Sequence, residues 1–164
     1  MTLPISGALT LDAVMTELRL VDPSRAYPIN LGDADVRALA AVPSGAITLS
    51  ALYGKSSYIP MTVTGFDDYG FAQSAFGGGT VSCSPLVTVA NGRDPKTYLW
   101  SFTSNPDGCA LTNATSATCT VQQSYSGDTT GSASAVLQCQ VTDSFPNTVT
   151  VSNVNALLEW ANFA

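Results

Sequence analysis

From Tyr58 onward apolar and polar residues alternate with a period of two, and no other feature limits the fold as tightly. Val81, Cys83, Pro85, Val87 and Val89 fall on one side of an extended segment. Ala133, Ala135, Leu137, Cys139 and Val141 do so in another, and Tyr98, Trp100 and Phe102 in a third. Successive side chains of a strand point to opposite faces, so each set predicts a strand with one face turned to a core. Turn signals separate these segments: Gly77-Gly78-Gly79, Asn91-Gly92, Asn105-Pro106-Asp107-Gly108, Gly127-Asp128 and Pro146-Asn147. Short alternating strands at such intervals predict a β-sandwich or barrel.

Cys83, Trp100 and Cys139 follow one another in the order of an immunoglobulin-like core, with a cysteine on each facing sheet and a tryptophan packed over them. Leu137 stands two residues before the second cysteine, where antibody-type domains carry Tyr, so the expectation is an immunoglobulin-like sandwich and not an antibody relative. Trp100, Tyr98, Val87 and Leu137 are its expected core. Cys83 and Cys139 form a candidate disulfide. Cys109 and Cys119 lie at equal distances from Ala114, which places them opposite one another if a hairpin turns there, within bridging reach. The competing reading is two small buried thiols.

Residues 1–57 read differently. A near-triplicate phrase runs through them: Leu-Thr-Leu-Asp-Ala-Val at 9–14, Ile-Asn-Leu-Gly-Asp-Ala at 29–34 and Ile-Thr-Leu-Ser-Ala-Leu at 47–52. Thr10, Asn30 and Thr48 are placed to accept from an orphan amide of a first helical turn. Leu11, Val14, Met15 and Leu18, then Val36, Leu39 and Ala40, recur at helical spacing, while Pro4, Pro23, Pro28 and Pro43 keep each helix to a few turns. Helices this short need one another or a partner. The expected organisation is therefore mainly β: a segment of short helices over 1–57, then the sandwich over 58–164. Leu11, Val14, Leu18, Leu31, Val36, Leu39, Leu49 and Tyr53 are the candidate docking residues of the first segment.

Charged residues make up 11% of the chain and apolar ones 45%, so much of the surface must be Ser, Thr, Asn, Gly and exposed apolar side chains. Such a surface suits a protein packed in an assembly. The net charge of −6, with six Lys plus Arg and no basic cluster, argues against a nucleic-acid partner. No secretory leader and no apolar stretch of membrane-spanning length is recognised.

Histidine is absent, which removes the usual general base and the commonest zinc ligand. The cysteines lack Cys-x-x-Cys spacing. Asp33-x-Asp35 and Asp67-Asp68 are carboxylate pairs without the spacing of a known calcium loop, and read as capping for Asp33 and turn solvation for Asp67-Asp68. Gly77-Gly78-Gly79 is not followed by the Lys-Ser/Thr of a phosphate cradle. Asn113-Ala-Thr115 matches a glycosylation acceptor, with nothing to indicate the secretory route that chemistry needs. No enzyme, cofactor or metal is expected. Lys55, after Gly54, suits the carbonyl end of the third helical phrase.

Ile29-Asn-Leu-Gly-Asp-Ala-Asp-Val-Arg-Ala-Leu-Ala, and above all Val42-Pro-Ser-Gly-Ala-Ile47 followed by Tyr53-Gly-Lys-Ser56, resembles an N-terminal module of virion proteins of tailed bacteriophages. Tyr98-Leu-Trp-Ser-Phe102, Ser116-Ala-Thr118 and Leu137-Gln-Cys-Gln-Val-Thr-Asp-Ser144 are similar to the immunoglobulin-like domains such proteins carry. The resemblance implies a structural part of a phage particle, made in the bacterial host cytoplasm and located in the virion: a tail, tail-tip, collar or fibre-linked component. It implies other virion proteins as partners, in multiple copies, with residues 1–57 docking and the sandwich projecting. The alternatives are a capsid decoration protein and a binding module for a host-surface glycan or receptor. The binding module would use the loops Ala90–Lys96 and Asn105–Asp107 with Tyr98 or Tyr125. The Cys109/Cys119 pair and the apolar tail Ala156–Ala164 depart from the family. In that tail Leu157, Leu158, Trp160 and Phe163 either close the sandwich or contact a neighbour.

Overall fold

In the computed structural model the described residues are 2–74, 77–126, 130–145 and 147–162; the Gly127-Asp128 turn, Pro146, Phe163 and Ala164 lie outside them. The chain divides into two compact units, Met1–Pro60 and Met61–Ala164.

Helix α1 (Leu11–Arg19) opens the first unit as its sequence predicts. Thr10 is extended and its side chain accepts from the Ala13 amide at 3.1 Å, while Val14, Met15 and Leu18 are buried. Helix α2 (Ala34–Ala40) begins later than the phrase at 29–34 suggests. Asn30 accepts from the Gly32 amide at 2.8 Å and forms a turn of its own before the helix starts. Asp33 occupies the N-cap position without a side-chain capping bond, which corrects the capping expected of it. The third phrase forms a 3-10 helix, Leu49–Leu52, in which Thr48 makes no capping bond to the backbone and meets the Ser50 hydroxyl instead.

These pieces share one core: Leu3, Leu9, Val14, Met15, Leu18, Ile29, Val36, Ala40 and Leu52 are all buried together. The unit thus has an apolar centre of its own, which helices read singly do not reveal.

The second unit is mainly β. Strands β1 (Thr62–Phe66), β2 (Asp68–Ser74), β3 (Gly79–Cys83), β4 (Leu86–Ala90), β5 (Thr97–Ser104), β6 (Ala110–Thr112), β7 (Thr120–Tyr125), β8 (Gly131–Thr142) and β9 (Thr148–Asn162) follow in order. One sheet runs β2-β9-β8-β5, with β2 parallel to β9 and the other pairings antiparallel. The sheets β3-β7-β6 and β1-β4 belong to one opposing layer. Cys83 pairs with Val121, and the same register continues past Pro85 to a bridge between Leu86 and Thr118. Proline has no amide to donate, so the ladder is interrupted there without the strand ending.

The two layers close over one core that includes Val81, Cys83, Val87 and Val121 from one side and Trp100, Leu137, Cys139, Val141, Val154 and Leu158 from the other. Every inward residue read from the alternation on β3, β4 and β8 is buried or half-buried, so the pleat places those faces as the sequence predicts. Leu158 ends fully buried and the Trp160 ring stacks on Tyr125 at 5.5 Å, so the described part of the apolar tail closes the sandwich, while Leu157 points outward.

The chain changes layers at Asp67. β1 pairs with β4, and one residue later β2 pairs with β9. Gly70 makes this possible, because a Cβ there would stand 2.3 Å from the Ser82 carbonyl oxygen and 3.0 Å from Leu158.

Candidate functional site

The docking candidates divide by burial. Val14, Leu18 and Val36 are enclosed in the core of the first unit, so they hold that unit together and are unavailable to a partner. Leu31, Leu39, Leu49 and Tyr53 are half-buried against the same core. Leu11 is exposed, and so are Ile5, Val21, Tyr27 and Ile59, which helical periodicity does not pick out because none of these four lies on a helix.

The phrase Tyr53-Gly-Lys-Ser56 is a closing strap. The Tyr53 hydroxyl donates to the Gly7 carbonyl, the Gly54 amide to the Pro4 carbonyl at 3.0 Å, and the Lys55 carbonyl accepts from Leu3 at 2.9 Å. Gly54 has φ +69°, a conformation that favours glycine. Beyond it the buried Glu17 carboxylate accepts from the Ser57 amide at 2.8 Å and from the hydroxyls of Ser57 and Ser56 at 3.0 and 3.2 Å. A buried carboxylate is tolerated when hydrogen bonds replace its hydration. Glu17 would mark a solvated helix face on charge alone; its position between Met15 and Leu18 gives no warning of the strap forty residues away.

Neither carboxylate pair presents a bare anionic site. Arg25 reaches Asp33 and Asp35, each at 2.7 Å, and Asp33 also accepts from the Asn30 amide. Asp67 accepts from the amide and the side chain of Asn155 at 2.7 and 3.1 Å, which holds its carboxyl below the usual carboxylate range. Asp68 accepts from the Ser84 amide at 2.6 Å. Two adjacent carboxylates therefore clamp β9 and the β3–β4 junction from the point where the chain changes layers.

Trp100, Val87 and Leu137 are buried and Tyr98 half-buried at the core positions expected of them. Trp100 pairs with Cys139 across β5 and β8, and its indole donates to the Ser116 carbonyl at 2.9 Å. Cys83, Cys109, Cys119 and Cys139 are all buried free thiols, so neither expected disulfide is formed. For Cys109 and Cys119 the register gives the reason. Thr112 pairs with Thr120 and Ala110 with Gln122, which sets Cys109 opposite Gln123. Cys119 lies four residues from that point, about 13 Å along the strand, and a disulfide needs Cα atoms within roughly 7 Å. The hairpin is centred on Ser116 and not on Ala114, because Ala117 and Cys119 pair with Val87 and Pro85 instead.

Burial pushes the thiols of Cys83 and Cys119 up to about 12 and that of Cys139 up to about 11. Thiols held neutral in this way are poor nucleophiles and poor metal ligands. Among the described residues no group of three or more His, Cys, Asp or Glu is placed to hold a metal ion, and no helix is long and apolar enough to cross a membrane.

The loops expected to form one binding surface are separated. Ala90–Lys96 and Asn105–Asp107 lie at opposite ends of β5, about 26 Å apart by strand rise. Tyr98 packs on the core and Tyr125 on Trp160, which commits both rings. The loop after β4 instead joins the β8–β9 turn. The buried Asp143 carboxylate accepts from the amides of Arg93, Phe145 and Asn147, and the Arg93 guanidinium lies 4.4 Å over the Phe145 ring.

No family model matches this chain, and neither does any curated protein. Among solved structures it is similar to the M1 domain from titin at 11% identity, over 62% of this chain and 94% of that one, with a TM-score of 0.23.

Proposed function

We propose that this chain is a structural component of a tailed bacteriophage particle, in which the first unit docks to the virion and the second, an immunoglobulin-like sandwich, projects from it. One observation carries the reading. The segments in which the resemblance to phage virion proteins is most specific, 42–47 and 53–56, are those that complete the first unit, since Val42, Ile47 and Tyr53 pack on its core and Gly54 to Ser57 strap it shut. What resembles the phage module is thus the closure of a folded unit and not a surface motif. The immunoglobulin-like assignment is supported by the strand order. A split first strand pairs with both layers, and the two cysteine-bearing strands β3 and β8 lie in opposite sheets with Trp100 facing Cys139.

Docking falls to the large apolar residues the first unit leaves outside: Ile5, Leu11, Val21, Tyr27 and Ile59. The test is immunogold electron microscopy of purified particles with antibody raised against residues 61–164. Label on the tail, its tip or the collar is the expected result, and label over the head would make the chain a decoration protein. Particles that neither label nor contain the chain would refute the virion assignment.

A further inference from the structure

The outer face of the β2–β9 pair carries a short aromatic platform. Gly70 is forced inward by its approach to the Ser82 carbonyl, so its neighbours Tyr69 and Phe71 must point out, and they are 50% and 54% exposed. Leu157, directly beside Tyr69, is 41% exposed, and Glu159 stands beside Phe71. Two residues of strand rise set the rings about 7 Å apart in a row. The first ring and the strand beneath it are held: the Tyr69 hydroxyl donates to Glu159 at 2.8 Å, Asp67 grips Asn155, and Asp68 grips Ser84. An open hollow lined by Asp67, Asp68, Asn155, Leu157 and Tyr69 adjoins the first ring.

We propose that this face binds a neutral oligosaccharide. The chemistry matches on three counts. Flat aromatic faces suit the C–H face of a pyranose, and the Asp67 and Asp68 carboxylates, whose oxygens keep lone pairs beside their bonds to Asn155 and Ser84, can accept from its hydroxyls. Charge excludes anionic glycans, since Asp67, Asp68 and Glu159 are grouped here while β2, β8 and β9 carry no Lys or Arg. Size disfavours a protein partner, because three half-exposed apolar side chains fall well short of the roughly 800 Å² per partner of a stable protein interface. A preorganised strip this small fits a few sugar rings. The inference deepens the reading of the sandwich as an outward-facing module, yet its test needs no particle. Glycan binding by a chain absent from virions would refute only the virion assignment.

The experiment is calorimetric titration of the full chain with a panel of neutral hexose and N-acetylhexosamine oligomers, cellohexaose and chitohexaose included, and with oligogalacturonate as the anionic comparator. At least one neutral oligomer is expected to bind with a Kd below about 1 mM. Tyr69→Ala and Phe71→Ala should each weaken it about tenfold or more, Leu99→Ala on the far strand of the sheet should leave it unchanged, and oligogalacturonate should bind at least tenfold more weakly. Phe71→Gln serves as the second variant if an alanine variant loses its folded tryptophan fluorescence. The proposal is overturned if no neutral oligomer binds at millimolar concentration, if binding survives both ring substitutions, or if oligogalacturonate binds equally well. Self-association that the same substitutions abolish, without sugar binding, would also overturn it.

Discussion

Replacing Glu17 by alanine should open the first unit at its strap and leave the sandwich standing. The Ser57 amide and the Ser56 hydroxyl donate to one oxygen of this buried carboxylate, and the Ser57 hydroxyl shares its one proton between that oxygen and the Glu17 carbonyl. A bond to a charged acceptor contributes about 1.5–3 kcal/mol, and the freed strap regains some of that from water, so the net loss is about 3 kcal/mol. At about 0.05–0.15 kcal/mol per residue, a unit of this length has roughly 3–9 kcal/mol in total, so the loss is a large share. Glu17→Gln keeps an acceptor oxygen for the Ser57 amide and should cost about 1 kcal/mol.

The two units can be followed separately in the full chain. Both tryptophans, Trp100 and Trp160, lie in the second unit, while Lys55 lies in the strap with its carbonyl bound to the Leu3 amide. Trypsin can cut after Lys55 only when the strap opens, and cleavage then tracks the open population. A loss of about 3 kcal/mol should accelerate that cut about 100-fold, read by mass spectrometry of the fragments, with the tryptophan unfolding midpoint unchanged. Acceleration of less than about threefold would show that Glu17 does not hold the strap. A parallel fall of the tryptophan midpoint would show that the effect is not local to the first unit.

Further consequences follow from the sandwich. Gly70→Ala forces a methyl carbon against the Ser82 carbonyl and should cost about 3 kcal/mol or displace β2, measured by urea unfolding. Trp100→Phe removes the bond to Ser116 and part of the ring volume, and should cost about 2 kcal/mol by the same measurement. The thiols give a pH signature. The folded pKa values of Cys83, Cys119 and Cys139, about 11 to 12, lie above the ordinary 9.0, so their contribution to stability is complete below pH 9 and is lost as pH rises from there toward 12. Unfolding midpoints should be flat from about pH 6 to 8 and fall above about 9, and iodoacetamide at pH 8 should label the four thiols fully only in denaturant.

The faces of the strands were legible because a pleat has a period of two, and Val81 to Val89 keep that period even across Pro85, where the ladder is interrupted. Pairing is a different matter, since alternation along one strand says nothing of which residue lies opposite. Symmetry of the cysteines about Ala114 predicts a hairpin centred there, whereas the pairing of Ala117 and Cys119 with the β3–β4 strand sets the centre two residues on and separates Cys109 from Cys119. In the first unit the phrases located three helical turns, and Thr10 capped as predicted, yet local reading left out what joins them. Glu17 and Ser57 are forty residues apart, as Arg25 and Asp35 are ten, and no periodicity links such pairs. The outward aromatic pair is set by such a distant contact as well. Tyr69 and Phe71 carry the same alternation as any strand, and only the contact between Gly70 and Ser82, which belong to different layers, decides that the larger residues face outward. Local patterns thus fixed which side of an element is apolar, whereas the groups offered to a strap, a partner or a ligand were decided by contacts between elements distant in the chain.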